Sequence, residues 1–283
     1  MRKTITLVAC LMIALVARGQ IMYEVSGQGL KKKSYIIGSN HILTAKALGG
    51  TQAFKWYNDC DIVVGEIVID EQEVMAATMK YMRGEKRISE LLTLREYGLL
   101  DSVLEADMGF GIEMVDIMRP AMVETMWTTS VLERLYPKEP DEVGMDSYFQ
   151  NMSVLEGKRV MGLESVEQQM RLLMGLGSEE QQARELYETC MAGKAMLKER
   201  MDSLVNFYRQ GDLYGLAKIS MEDMTQAEWT EMVDMRNEAW AEKLPAMMKE
   251  GSCFVVVGAL HLYGPGGVVE LLRKKGYKLK EVK

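Results

Sequence analysis

Four short runs of consecutive apolar or β-branched residues interrupt an otherwise helical pattern. They are Ser34–Ile37 (SYII), Asp61–Val64 (DIVV, continuing into Ile67–Ile69), Arg159–Leu163 (RVMGL) and Cys253–Val257 (CFVVV). Runs without polar alternation predict strands covered on both faces. Ile21–Ser26 and Tyr277–Val282 predict two more strands, the second alternating and therefore nearer an edge. Apolar residues at three- and four-residue spacing predict helices over Ala45–Tyr57, Val74–Met82, several within Leu91–Leu135, and long ones over Glu179–Tyr208 and Met224–Met248. Strands separated by helices need crossover connections. The expected fold is therefore α/β (α+β), a central mostly parallel sheet with extensive helical insertions. Pro137–Gly144 is the one obvious linker. Strands fall on both sides of it, so it joins two halves of a single domain over residues 20–283.

Residues 1–19 have a different pattern. Arg2 and Lys3 precede a short apolar stretch, Ile5 to Val16, and Ala17-Arg18-Gly19 puts small residues at the −3 and −1 positions of a cleavage site. This is the pattern of a secretory signal peptide cleaved near Gly19, and it predicts an exported protein, periplasmic or extracellular. The stretch falls short of the about 20 apolar residues of a membrane span. A buried N-terminal helix is the plain structural alternative. Leu7-Val8-Ala9-Cys10 is similar to a lipobox, but the apolar run continues past Cys10, which favours soluble export over a lipid anchor. No later run is long and apolar enough to anchor the mature chain.

Composition narrows the classes. Among 283 residues, 48% are hydrophobic and 27% charged, with 5 prolines, which excludes a disordered or collagen-like chain. Lys and Arg number 34 against 41 Asp and Glu, for a net charge of −7; removing Arg2, Lys3 and Arg18 makes the mature chain more acidic still. That sign argues against nucleic acid and against tight contact with anionic lipid. The mature cysteines, Cys60, Cys190 and Cys253, are odd in number and lack a CxxC. Cys60 and Cys253 each precede a strand, so one bridge is conceivable, but buried separate thiols are the expectation. The 25 methionines include Met75, Met79, Met82, Met114, Met118, Met122 and Met126, on helical stretches. Their simplest role is core filler, the sharper one an adaptable peptide groove.

The candidate chemistry lies at the strand ends. Tyr35-Ile-Ile-Gly38-Ser39-Asn40-His41 and Val255-Val-Val-Gly258-Ala-Leu-His261 are both apolar strands closing in Gly-x-x-His, and these are the only two histidines. The other two buried strands end in carboxylates, Glu66 after Gly65 and Glu164 after Leu163. Ligands of open parallel sheets bind beyond the carboxyl ends of the strands. His41, Glu66, Glu164 and His261 should therefore share one rim, with Asp146 of Gly144-Met-Asp146 able to join them. Two imidazoles with carboxylates suit a divalent transition ion (manganese, cobalt, zinc or iron), whose bound water a carboxylate would deprotonate.

Each signal has a bland counterpart. A lone Gly-x-x-His is weak, a single histidine is often a hydrogen-bonded core residue, and Glu66 would serve equally to cap the next helix. Only the duplicated motif with two acidic residues at equivalent strand ends raises the enzymatic reading. Other nucleophile schemes are poorer: there is no Gly-x-Ser-x-Gly elbow, no Walker A loop and no GxGxxG, and Cys253 lies at the wrong end of its strand to meet His261. Gly264-Pro-Gly-Gly267 more simply starts the last helix.

These residues carry a resemblance to the TraB/GumN family, related to the Tiki proteases, over nearly the whole mature chain. The matching segments are YIIGSNH; Gly144-Met-Asp146 with Gly162-Leu-Glu164-Ser-Val-Glu167-Gln168-Gln169; Tyr208-Arg-Gln-Gly211-Asp212; Arg236-Asn237 with Trp240-Ala241; and Val257-Gly-Ala-Leu-His261-Leu-Tyr263-Gly264-Pro, then Leu271-Leu272-Arg273 and Gly276-Tyr277. The resemblance implies a fold of the erythromycin-esterase/ChaN-like kind, and an active site made by the two Gly-x-x-His motifs and the first strand-end glutamate. In the Tiki branch it implies a metal-dependent peptidase that clips the N-terminus of a secreted signalling protein. The TraB branch is linked to shutting down a peptide pheromone, and the chain looks most like the GumN branch. Asn40 departs from the commoner apolar residue of the first motif.

The leading expectation is an exported metal-dependent hydrolase of peptides or proteins. His41, His261, Glu66 and Asp146 hold the metal; Glu164 completes the shell; Arg236 steadies the developing oxyanion. Ser39, Asn40, Asn237 and Tyr263 contact substrate. A ChaN-like protein holding haem or another tetrapyrrole through a histidine is one alternative, and a non-catalytic factor that sequesters an exported peptide is another.

Overall fold

A computed structural model describes residues 21–139, 142–222 and 224–282. Its centre is a six-stranded sheet of β1 (Met22–Ser26), β2 (Ser34–Ser39), β3 (Ile62–Gly65), β4 (Arg159–Gly162), β5 (Cys253–Gly258) and β6 (Lys278–Glu281), in the order β4-β3-β5-β2-β1-β6. The four apolar runs form its parallel part: β5 pairs with β2 on one side and β3 on the other, and β3 pairs with β4. β1 runs antiparallel to both β2 and β6. The fold class read from the pattern is the one observed.

Two strand expectations need correction. β4 closes the sheet edge and is only partly covered, so its apolar run does not signal burial on both faces. The stretch 67–69 does not prolong β3. There the Gln150 amide takes the backbone instead, accepting from the Ile69 N–H (2.9 Å) and donating to the Ile67 carbonyl (2.9 Å). Val68 and Ile69 are consequently exposed.

Helices account for most of the rest. After a short 3-10 turn (Ala45–Leu48), α1 (Ala53–Asp59) leads into β3, and α2 (Glu71–Tyr81), α3 (Ile88–Leu91), α4 (Leu94–Met108) and α5 (Pro120–Leu135) follow. α6 (Met145–Glu156) precedes β4, and α7 (Val166–Gly175), α8 (Glu179–Gln210), α9 (Leu213–Glu222), α10 (Gln226–Trp229) and α11 (Met235–Glu250) separate β4 from β5. A single π turn, Thr230–Asp234, joins α10 to α11, and α12 (Val268–Lys274) leads into β6. α8 is broken at Gly193, whose φ of 80° lies outside helical space and suits only glycine without strain.

Beside a small group of Ala217, Trp229 and Val233, two large apolar clusters result. The larger holds the sheet, with Phe149, Trp240 and Phe254 among its side chains; the smaller joins α3, α4, α5 and the first part of α8 around Leu100, Leu104, Trp127 and Leu186. The methionine expectation fails for most of its examples. Met122 is buried, but Met75, Met79, Met82 and Met114 face solvent, because the helices carrying them cover the core with one narrow stripe only. Cys60, Cys190 and Cys253 are buried free thiols. The expected signal peptide and Cys10 lie outside the described residues. Among those described, no helix is long and apolar enough to cross a membrane.

Candidate functional site

Because β2, β3, β4 and β5 are parallel, their carboxyl ends open on one rim, and each has a glycine as its last residue or, in β2, its last but one. Gly38 has a steric reason. A Cβ there would stand 2.9 Å from the Ala259 Cα, so only glycine lets β2 pass this close to the turn that carries His261. The Tyr208 hydroxyl fixes the same point by donating to the Gly38 carbonyl (2.7 Å).

Glu66, one residue beyond β3, is turned inward. Its Oε1 accepts from the Gly258 backbone N–H (2.8 Å); its Oε2 accepts from Arg236 Nη2 (2.6 Å) and Gln169 Nε2 (3.0 Å). It caps no helix: Asp70 does that for α2, accepting from the N–H groups of Gln72 and Glu73. Glu164 accepts from the same guanidinium, at 2.6 Å from Nη2 and 3.2 Å from Nε, and from Gln169 at 3.2 Å. Burial, the largest influence, pushes the Glu66 carboxyl up, but the positive charge around it and the Gly258 N–H outweigh this and leave it below its ordinary value.

His261 sits in a 3-10 turn directly after β5 and is buried. Its Nδ1 is 2.7 Å from Asn237 Oδ1, and Asn237 Nδ2 donates to the Gly266 carbonyl (3.0 Å). The Asn237 oxygen is thus an acceptor, so Nδ1 carries the ring proton. Arg236 Nη1, which can only donate, lies 3.1 Å from Nε2. Nε2 therefore presents a lone pair. Burial first, and then the neighbouring Arg236, against the pull of Glu66, drives the imidazole pKa down to about 4, so the ring is neutral at physiological pH. Trp240 packs on its face at 4.3 Å between ring centroids, and the Arg236 guanidinium lies 4.7 Å from the same indole.

The second histidine is its opposite. The His41 side chain is 84% exposed, and its Nδ1 stands 3.9 Å from Asp146 Oδ2. Asp146, in the first turn of α6, accepts from Ser39 Oγ (2.9 Å). Burial, with repulsion from Glu66, raises the Asp146 carboxyl despite the His41 and Ser39 contacts. Asn40 Oδ1 accepts from the Ile42 and Leu43 N–H groups (3.0 and 3.3 Å), a local turn that ends β2.

One cavity of about 480 Å³ takes in Ser39, Asn40, His41, Glu66, Gln169, Arg236 and His261. The structure thus brings the two histidines and Glu66 to one rim, with Glu164 and Asp146 one contact behind. Tyr263 lies outside that wall, 6.4 Å from Tyr214 ring to ring. Asn237 is fully buried with both ends of its amide engaged, so it positions His261 and has no surface for substrate. Gln169 is the residue sequence reasoning passed over. The available signal is Ser165, which caps α7 and so places Gln169 in its first turns, facing back to the strand ends.

The donor chemistry fits a divalent ion: neutral imidazole nitrogen with carboxylate oxygen. Arg236 meanwhile supplies the positive charge between Glu66 and His261. Among the described residues, no three His, Cys, Asp or Glu side chains stand close enough together to hold one ion.

The model of the TraB/PrgY/gumN family matches residues 21–281. A Treponema pallidum (strain Nichols) protein bearing the name "Uncharacterized protein" is 27% identical over 132 residues, 42% of this chain and 40% of that protein. The match thus spans well under half of the relative's length. No solved structure matches the chain.

Proposed function

The chain belongs to the TraB/PrgY/gumN family, and from that premise we propose that it is an exported metal-dependent hydrolase of peptides. The observation that carries the reading is the meeting of His41, Glu66 and His261 on one cavity wall, with Arg236 linking Glu66, Glu164 and His261. A manganese, cobalt, zinc or iron ion would have to draw His41, His261, Glu66 and Asp146 closer together than they stand here, and would supply a water acidified enough to attack an amide near neutral pH.

The protein's own groups supply the remainder. Asn237 fixes the tautomer of His261 and so keeps the Nε2 lone pair free of a proton, turned to Arg236. Ser39 holds Asp146 and, through it, sets the place of His41. Glu66, ionised and buried, offers carboxylate oxygen to the same cavity. The Arg236 guanidinium commits its N–H groups to Glu66, Glu164, His261 and the Met232 carbonyl, so what it brings to an oxyanion in the cavity is a fixed positive charge already in place. Trp240 covers His261 and excludes bulk water from that side.

The test is metal analysis and peptide turnover on the purified protein, with His41→Ala and His261→Ala beside it. Loss of bound metal and of turnover in both variants is expected. If neither substitution alters metal content or turnover, the reading is wrong.

A further inference from the structure

The rim residues supply only part of the wall of the 480 Å³ cavity. Most of the rest is apolar, built by Leu172 of α7, Met201 and Leu204 of α8, Leu216 of α9, Met232 of the π turn and Leu260 beside His261. Glu66 and Arg236 are the only Asp, Glu, Lys or Arg residues on its wall among those described, and both belong to the rim set. All these apolar residues except Leu216 are only half-buried, so the structure holds their side chains at the cavity surface without covering them. A water-exposed apolar concavity continuous with a set of reactive groups is the usual form of a pocket that recognises an apolar part of the substrate.

We propose that this chamber is the side-chain subsite of the enzyme, accepting a large apolar residue (Leu, Ile, Met or Phe) next to the peptide bond placed at His261 and Glu66. The inference rests on the hydrolase reading above and adds the substrate class to it. Three features support this occupant. The apolar wall and the rim groups line one cavity, so a residue seated against that wall would bring its own backbone near them. Its inner wall offers no countercharge, so a charged side chain would lose its hydration without compensation. Methionine contributes two of the six wall residues named, and its flexible thioether adapts to apolar groups of differing shape. This predicts tolerance among large apolar residues and rejection of charged ones. The wall comes from four helices, two of which meet it at irregular points: α8 beyond its break at Gly193, and the π turn. Such π segments recur at binding sites because they turn a side chain out of helical register.

The experiment profiles cleavage of a peptide library, randomised on both sides of the scissile bond, by the purified protein supplied with manganese or cobalt. Met201→Lys and Met232→Lys are run beside it. The wild type is expected to prefer Leu, Ile, Met or Phe at one position by roughly 10–200-fold in kcat/KM. At least one lysine variant should shift that same position towards Asp or Glu, a gain that misfolding cannot mimic. Cleavage without an apolar preference, or with a preference unmoved in both variants, overturns the subsite and leaves the hydrolase reading standing. If no peptide is cleaved with either metal, the hydrolase reading fails instead. Fluorescence anisotropy then decides the chamber, using a labelled Leu-containing pentapeptide and its Asp counterpart. At least tenfold tighter binding of the Leu peptide, reversed by Met201→Lys, supports it; equal binding, or none, overturns it.

Discussion

Arg236→Gln is the substitution from which most is to be learned. The guanidinium is held by Glu66 and Glu164, touches His261 Nε2 and rests near Trp240. The side chains of Arg236, Glu66 and Glu164 retain only 11%, 13% and 9% of their exposure, so solvent screens these contacts weakly. Removing one partner of such a buried, hydrogen-bonded ion cluster costs about 3–5 kcal/mol, since it strands the opposite charges. For a domain of this size that is a fall in Tm of roughly 6–20 °C.

The pH dependence gives this number a signature. In the wild type the folded Glu66 pKa lies below its ordinary value, so its contribution is fully present above the ordinary carboxylate range and fades as pH falls through the folded pKa. In the variant two carboxylates that share Gln169 face each other without a cation, and the Glu66 pKa rises. The penalty is then largest at pH 7–8 and shrinks below about pH 5, where a proton replaces the guanidinium. Thermal unfolding of metal-free protein, followed by circular dichroism at pH 4.5 and pH 8 for wild type and variant, measures both effects. A variant melting within about 2 °C of wild type at pH 8, or a gap that stays constant on acidification, would refute the buried-clamp reasoning.

Other outcomes follow from the same geometry. His261 has a folded pKa of about 4, below its ordinary value, so its neutral form stabilises the protein above about pH 6.5 and that contribution is lost as pH falls towards 4. In metal-free protein, His261→Gln should lose less stability than wild type across that window; equal slopes would show the ring is not held neutral by the fold. Gly38→Ala should cost about 1–3 kcal/mol in denaturant unfolding, because its methyl meets the Ala259 Cα. A neutral result would mean β2 and the His261 turn separate freely. Burial pushes the thiols of Cys60, Cys190 and Cys253 up to about 12. They should react with a thiol reagent only after unfolding, and prompt labelling of the native protein would contradict their burial.

The sheet was legible because four of its strands are short β-rich runs, and the rim because each of those four has a glycine at or next to its end with Ser39, Glu66, Glu164 or His261 within three residues of it. What the runs hide is their environment. Arg159–Gly162 has the same β-rich appearance as Cys253–Gly258, yet one lies at the edge and the other in the middle, since position in a sheet depends on pairings remote in sequence. The two Gly-x-x-His motifs are alike on paper, but His41 is solvated and His261 sealed, because α11 packs Trp240 and Asn237 over only the second. The exposed methionines misled for a related reason: composition reports that a residue is apolar, not which face of its helix meets the core. Gln169 and the apolar chamber arise from α7, α8, α9, the π turn and the turn after β5 meeting at the strand ends.

β5 is the only bridge between the pair β3–β4 and the trio β1, β2 and β6. It also comes later in the chain than every other described strand except β6. Until Cys253–Gly258 has been made, β2 and β3 each expose an unpaired flank, and His41 and Glu66 belong to separate half-built pieces. Pairings this remote along the polymer form slowly, so assembly of the rim has to wait until β5 has been made. A chain cut short before Cys253 therefore cannot hold His41 and Glu66 on one sheet, and the rim forms in a single closure.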